Sequence, residues 1–375
     1  VWKNFSTEFG GILKSLARHK DLVECRATLT QYRKYQEDMT GLKVNVEELV
    51  KDQHVKKATR VKEWLATGAQ SLYDHERFLA EREPYPSTGR WILDHEIISD
   101  WMNTDVPTSP IVWMTGIPGA GMVFIYPAIL RRKLTEFLGK TILASVVIEE
   151  CKRRSNALTT YFYCNYNGNN TAVSVFKGIM DQLLDQYPDL VPYCHHRYTT
   201  SGEPLLRSLT LSKKLLEDFC FTVPKQVIVI DGLDECESAD RKQVLDYFVQ
   251  LVGQCDTDDP GKLRVLFVSQ DYPDIKRALQ SSTVARTVPK QLPLSDADNG
   301  RDINVYINHF VARIKEKFGI SEDQERYIQK MAVDRAKGMF LYAKLVMTNL
   351  FDQPSLGNLI GEIQSEIFPK ELEDA

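Results

Sequence analysis

From Ile111 onward the apolar residues gather into short runs separated by stretches of helical period. Ile111-Val112-Trp113-Met114, Leu158 to Cys164, Gln226 to Ile230 and Arg264 to Ser269 are rich in β-branched, aromatic and aliphatic side chains. Short runs of this kind predict strands buried on both faces, as in a parallel sheet. A helix is predicted from Ser174 to Tyr187. Strands alternating with helices predict an α/β core of three layers over about 111–290. Outside that core only helical period is found. Phe5, Phe9, Ile12, Leu13 and Leu16 recur on one face, as do Val61, Trp64, Leu65 and Leu72, so 1–80 reads as an α-helical N-terminal region. Pro84, Pro86, Pro107 and Pro110 surround Thr88-Gly89-Arg90-Trp91, which makes 81–110 a linker and lead-in to the core. After Pro289 the chain reads as helices again. Ile303, Ile307, Phe310 and Val311 share a face, Phe340 to Leu350 follows, and 291–375 becomes an α-helical C-terminal segment.

The strand at 111–114 runs into Thr115-Gly116-Ile117-Pro118-Gly119-Ala120-Gly121. Gly116 and Gly121 have the spacing of the phosphate-binding pattern G-x-x-x-x-G-K-[ST], but Met122 and Val123 stand where Lys and Ser or Thr belong. The missing pair occurs later as Lys140-Thr141, after Gly139. Removing the 18 residues 122–139 restores GIPGAG-KT followed by an apolar helix. Such a loop wraps backbone N–H groups around phosphate oxygens; its Lys neutralises the β/γ-phosphates and its hydroxyl ligates Mg²⁺. The chain therefore descends from a nucleotide-binding protein, with Gly116, Gly119, Gly121, Lys140 and Thr141 as the phosphate and metal cradle.

The glycine match is either accidental or inherited, and if inherited two origins stand open for 122–139. One is a true insertion. The other is a retained intron: Gly121-Met122 is encodable as GGTATG, Leu134-Thr135 as CTAACN and Leu138-Gly139 as TTAGGN, which supply donor, branch point and acceptor in order and in phase. Of the two segments competing for the helix after the loop, Met122 onward carries Pro127, whereas Lys140 onward has an apolar stripe and ends in Lys152-Arg153-Arg154. Proline inside a helix costs about 3 kcal/mol and basic residues suit a helix C-terminus, so Lys140–Arg153 is the predicted helix.

Val227-Ile228-Val229-Ile230 ends in Asp231-Gly232-Leu233-Asp234-Glu235. An acidic cluster at the carboxyl end of a buried strand sits where ligands bind in open α/β sheets. Asp231 is the candidate for holding Mg²⁺, directly or through water, and Asp234 or Glu235 for polarising an attacking water. One strand later, Ser269 or Gln270 is placed to reach a γ-phosphate.

Composition narrows the partners. The chain has 375 residues with 43% hydrophobic and 26% charged residues, and a net charge of −4. That balance gives no support for nucleic-acid binding, and no apolar run approaches the ~18 residues of a membrane span. The seven cysteines are scattered without C-x-x-C spacing, which predicts reduced, mostly buried thiols in a cytoplasmic protein.

Together the split loop, DGLDE at 231–235, TGRWIL at 88–93 with Trp101, DINVYI at 302–307 and AKGMFLYAKLVM at 336–347 resemble the NACHT-type, nephrocystin-like module of STAND ATPases. The likeness is strongest to the fungal set related to NOD-like receptors, and it covers roughly 85–375. It implies a P-loop NTPase core that binds ATP or GTP with Mg²⁺ and works as a signal-transduction switch. ADP holds the switch closed, exchange opens it, a homo-oligomer is its output and slow hydrolysis resets it. Protein partners would be reached through the N-terminal helices and through C-terminal ankyrin, WD or TPR repeats. The chain stops at Ala375 before any such repeats and reads as a fragment or truncated gene model. It departs from the family pattern in the interrupted loop and in Gln270, where an Arg is common. The competing readings are a nucleotide-independent scaffold and, further off, a metabolic P-loop kinase.

Overall fold

The computed structural model describes residues 51–68, 70–116, 139–165, 170–280 and 288–364, with a few isolated positions before 51. Two compact units are present, 1–61 and 62–375. In the first, 51–61 are helical, and the apolar positions Phe5, Phe9 and Ile12 lie outside the described residues.

The second unit is built on five parallel strands: β1 Ile111–Gly116, β2 Leu158–Tyr163, β3 Gln226–Asp231, β4 Leu263–Ser269 and β5 Lys290–Leu294. Their order across the sheet is β2-β3-β4-β1-β5. β4 thus lies between the strand that feeds the glycine loop and the strand that ends in the acidic turn, and all four pairings are parallel. This is the α/β architecture with a parallel sheet that the alternation of runs predicts.

Before the sheet come α1 Gln70–Arg82, a 3₁₀ turn Arg90–Asp94 and α2 Glu96–Asn103. Threaded through it are α3 Gly139–Arg154, α4 Ala172–Gln186, α5 Val191–Ser201, α6 Leu209–Thr222, α7 Ser238–Asp258 and α8 Pro273–Gln280. After it come α9 Asp296–Phe318, α10 Glu322–Ala336, α11 Phe340–Asp352 and α12 Leu356–Glu362.

Strand alternation sorts the core into layers. Val112, Met114, Val227, Val229, Leu266 and Val268 face one side, where they meet α3 together with Ile92, Ile98 and Trp101 of the lead-in. Phe267 faces the other side and meets Phe248 of α7, which in turn touches Phe176 of α4. α3 is apolar nearly all round, with Ile142 to Ile148 buried, because it is sandwiched between the sheet and the lead-in. The lead-in is firmly seated. Trp101 donates its indole N–H to the Pro110 carbonyl at 3.0 Å, and the buried Arg264 guanidinium donates to the carbonyls of Trp101, Thr104 and Asp105. Those carbonyls belong to or follow the last turn of α2, where helical acceptors are otherwise left over.

Two local expectations are corrected. The stretch after Pro289 begins with a strand, β5, before the helices resume. Its Lys290-Gln291-Leu292-Pro293-Leu294 buries only alternate residues and contains a proline, which an edge strand tolerates but which hides a strand in sequence. Leu72 is exposed rather than sharing the face of the buried Trp64 and Leu65, because the helical phase is broken near Gly68 before α1 starts. α9 to α11 close around their own core of Ile303, Ile307, Val311, Ile328, Tyr342, Val346 and Met347.

Candidate nucleotide-binding site

β1, β3 and β4 end at Gly116, Asp231 and Ser269, and in a parallel sheet these ends share one edge. α3 starts at that edge with Gly139, so Lys140 and Thr141 occupy its first turn. The stem of Lys140 lies across Gly116: a Cβ added there would sit 3.3 Å from Lys140 Cδ and 3.4 Å from Leu294. A glycine at 116 therefore lets the lysine stem run close over the end of β1.

Lys140 is 6% exposed, and burial lowers its pKa although Asp234, Asp231 and Glu235 all pull it up. Asp231 shows the converse. Burial, with Asp234 adding, pushes its carboxyl up to about 7, against the opposing Thr141 hydroxyl bond, Lys140 and the Gly232 N–H. Desolvation disfavours the charged form of both the buried lysine and the buried carboxyl beside it, and charged ligand groups next to them would offset that cost. A phosphate beside Lys140 and a cation beside Asp231 are such groups, so the residues present fit a Mg²⁺–nucleotide. Among the described residues no three His, Cys, Asp or Glu side chains form a metal cluster. Mg²⁺ in such sites needs only one or two protein ligands, with water and phosphate completing its shell.

The acidic turn is held from several directions. Asp231 accepts at its carbonyl from Cys164 N–H at 2.8 Å. Gly232 follows with φ 73 and ψ 28, and Leu233–Glu235 forms a 3₁₀ turn. A Cβ at Gly232 would lie 2.4 Å from the Cys164 carbonyl oxygen, so only glycine fits. Asp234 Oδ1 accepts from Gln270 N–H at 3.2 Å, and the Glu235 carbonyl accepts from Asn170 Nδ2 at 3.4 Å. The buried Arg241 guanidinium donates to the Asp234 carbonyl at 3.1 Å and the Cys236 carbonyl at 3.3 Å, and it is anchored on Asp274 Oδ2 at 2.6 and 3.0 Å.

Gly116, Lys140, Thr141, Asp231, Asp234, Glu235 and Gln270 are thus gathered at one sheet edge, while Gly119 and Gly121 lie outside the described residues. Ser269 is corrected as a phosphate reader. It is fully buried, accepts from the Trp113 indole at 2.8 Å and donates to the Gln270 carbonyl at 3.0 Å, so its hydroxyl is committed to the sheet. Arg241 and Asp302 were not assigned roles from sequence. No sequence pattern marks Arg241, since it bonds two nearby backbone carbonyls, of Asp234 and Cys236, and one distant carboxylate, of Asp274. Asp302 opens the DINVYI segment, and its Oδ2 accepts from Gly89 N–H at 2.8 Å and from the Trp91 indole at 3.0 Å. Beside the start of α3 a small cavity is lined by Tyr85, Thr88, Gly139, Ile142, Leu143 and Asp302. The buried Thr88 hydroxyl has no hydrogen-bond partner among the described residues.

Residues 87–270 match the family model described as Nephrocystin 3, N-terminal. The chain carries a nephrocystin-type N-terminal domain. The vegetative incompatibility protein HET-E-1 of Podospora anserina is 23% identical over 292 residues, which are 76% of this chain and 19% of that protein. The chain thus spans about a fifth of that relative's length. Three solved structures are also similar. The Walker-type ATPase paby2304 of Pyrococcus abyssi has a TM-score of 0.40 at 12% identity, covering 75% of this chain and 70% of that one. The Aeropyrum pernix ORC2 protein in its ADP form has 0.41 at 14%, covering 73% and 65%. Drosophila ORC bound to DNA has 0.42 at 15%, covering 78% and 70%. The nephrocystin-type domain includes the lead-in, β1 to β4 and the acidic turn. No helix among the described residues is long and apolar enough to cross a membrane.

Proposed function

We propose that this chain is the nucleotide-binding module of a STAND-type signalling NTPase, taking ATP or GTP with Mg²⁺. The observation that carries the reading is the position of Lys140: second residue of α3, laid over Gly116 and facing Asp231, Asp234 and Glu235. In this reading Lys140 neutralises the β/γ-phosphates, and Thr141 and Asp231 hold the metal. Asp234 and Glu235 orient water, Gln270 closes the site beside Asp234, and the cavity at Thr88 takes part of the nucleoside. Mg²⁺, when bound, supplies the charge that offsets the phosphates. Burial strengthens each of these interactions, because little water screens them.

The output in this reading is regulated association with protein partners and with further copies of the chain. The break at 122–139 weakens the site, since the glycine loop and Lys140 no longer belong to one short covalent turn. That break also favours a second reading, a scaffold that keeps the fold and acts through protein contacts alone. Titration with a fluorescent ATP analogue in Mg²⁺ separates the two, using the full chain, a form lacking 122–139 and the Lys140→Ala variant of that form. The deletion should bind, the full chain should bind far more weakly, and Lys140→Ala should abolish binding. Equal affinity of the full chain and the deletion would show that the insert does not disable the site. No binding by the deletion would favour the scaffold.

A further inference from the structure

Cys164, directly after β2, and Cys236, directly after the acidic turn, place their sulfurs 3.3 Å apart in hydrogen-bond contact. Both are free thiols and nearly buried, at 5% and 4% exposure. A disulfide needs about 2.05 Å between sulfurs, so little movement is required to join them. Cys236 is the residue after Glu235, and its carbonyl and that of Asp234 are both held by Arg241. The other end of the turn has no slack, because Cys164 N–H binds the Asp231 carbonyl and the Cys164 carbonyl abuts Gly232.

We propose that Cys164 and Cys236 form a reversible disulfide site that tethers the acidic turn to the edge strand. The oxidant class is a small peroxide able to reach nearly buried sulfur. One thiol, as thiolate, attacks a peroxide oxygen; the O–O bond breaks, giving a sulfenic acid and, with one proton, water. The second sulfur attacks the sulfenic sulfur, the S–S bond forms, and the hydroxyl leaves as a second water with the remaining proton. Two thiols are oxidised by two electrons and one hydrogen peroxide is reduced. A dithiol reductant reverses the step through a mixed disulfide.

Closing the sulfurs draws Cys236 toward β2. With Asp231 and Gly232 fixed, the displacement falls on Asp234, Glu235 and the Arg241 contacts. The bond would therefore couple oxidation to the candidate site, a consequence that rests on the nucleotide reading above, whereas the bond itself does not.

The test treats the native full chain with hydrogen peroxide, blocks remaining thiols with iodoacetamide and maps the digest by mass spectrometry without reduction. The expected result is a Cys164–Cys236 peptide pair that disappears with dithiothreitol and is absent from Cys236→Ser. Oxidation of other cysteines with no such pair would overturn the proposal. Where the pair forms, Mg²⁺–ATP affinity of the form lacking 122–139 should fall about tenfold on oxidation and recover on reduction, the scale on which outer contacts tune metal sites. Unchanged affinity would overturn the coupling. A reduced form lacking 122–139 that binds no nucleotide would count against the nucleotide reading and leave the mapped bond standing on its own evidence.

Discussion

Replacing Gly232 by alanine tests the construction of the acidic turn. Its φ of 73 and ψ of 28 put it in the left-handed region, where a Cβ costs about 1–2 kcal/mol. The new Cβ would also sit 2.4 Å from the Cys164 carbonyl oxygen, and real Cβ atoms essentially never approach closer than 3.0 Å. That carbonyl cannot simply withdraw, because the N–H of the same residue is bound to Asp231 at 2.8 Å. Relieving such a clash by backbone movement costs about 1–3 kcal/mol more. Restricting the unfolded chain returns ~0.4–1 kcal/mol, so the net loss should be about 1–5 kcal/mol.

Gly202 supplies the control. It has φ 70 at the end of α5, but nothing lies within 4 Å of its added Cβ. Gly202→Ala should therefore cost only the conformational part, about 1 kcal/mol or less. The difference between the two variants in urea unfolding isolates the contact with Cys164. If Gly232→Ala were no more destabilising than Gly202→Ala, the close packing of the turn on the end of β2 would be refuted.

Two further outcomes are expected. Asp302→Ala leaves the Gly89 N–H and the Trp91 indole without their acceptor and should destabilise by about 2–4 kcal/mol, whereas Asp302→Asn keeps an acceptor and should cost about 1 kcal/mol, both read from denaturant midpoints. Burial lowers the pKa of His75, which bonds Tyr163 and Glu149 at 2.8 Å each, so the folded chain holds it neutral while the unfolded chain protonates it near its ordinary pKa of about 6.5. Between that value and the lower folded one the unfolded state binds more protons, so stability should drop as the pH is lowered, by up to ~1.4 kcal/mol per unit, and His75→Gln should remove that increment of slope.

The parallel sheet was legible because its central strands are buried on both faces and announce themselves as unbroken apolar runs. β5 was not, since an edge strand with one buried face and a proline carries neither signal. The acidic turn was legible for a local reason: strand, aspartate, glycine and carboxylates are contiguous. Lys140 and Thr141 were recognisable only by their fit to the glycines before the insert, and their place at the head of α3 follows from the apolar stripe that starts there. Ser269 misled because sequence shows a hydroxyl at a strand end but not the Trp113 indole that occupies it. Arg241 was silent for the same reason. Its role depends on Asp274, Asp234 and Cys236 meeting in three dimensions.

Asp302 ties the lead-in to the C-terminal helices. Gly89 has φ 77, and its added Cβ would lie 3.1 Å from both Leu143 and Val146, so this glycine is what allows the lead-in to rest directly on α3. The same residue's N–H, with the Trp91 indole, is held by one carboxylate oxygen at the start of the C-terminal helices. Tyr85, just upstream, packs against Tyr306 with the two rings tilted at 47° and bonds His309 of α9 at 3.1 Å. In the proposed nucleotide reading, a ligand that shifts the start of α3 would be felt by the lead-in, whose displacement would either carry α9 with it or give up two hydrogen bonds to a buried acid. Breaking them costs about 1–3 kcal/mol each, within the range of a typical coupling free energy between sites. In the proposed reading a nucleotide would reach the C-terminal helices without touching them, through a lead-in that Trp101, Arg264 and the buried Ile92 and Ile98 seat against the sheet.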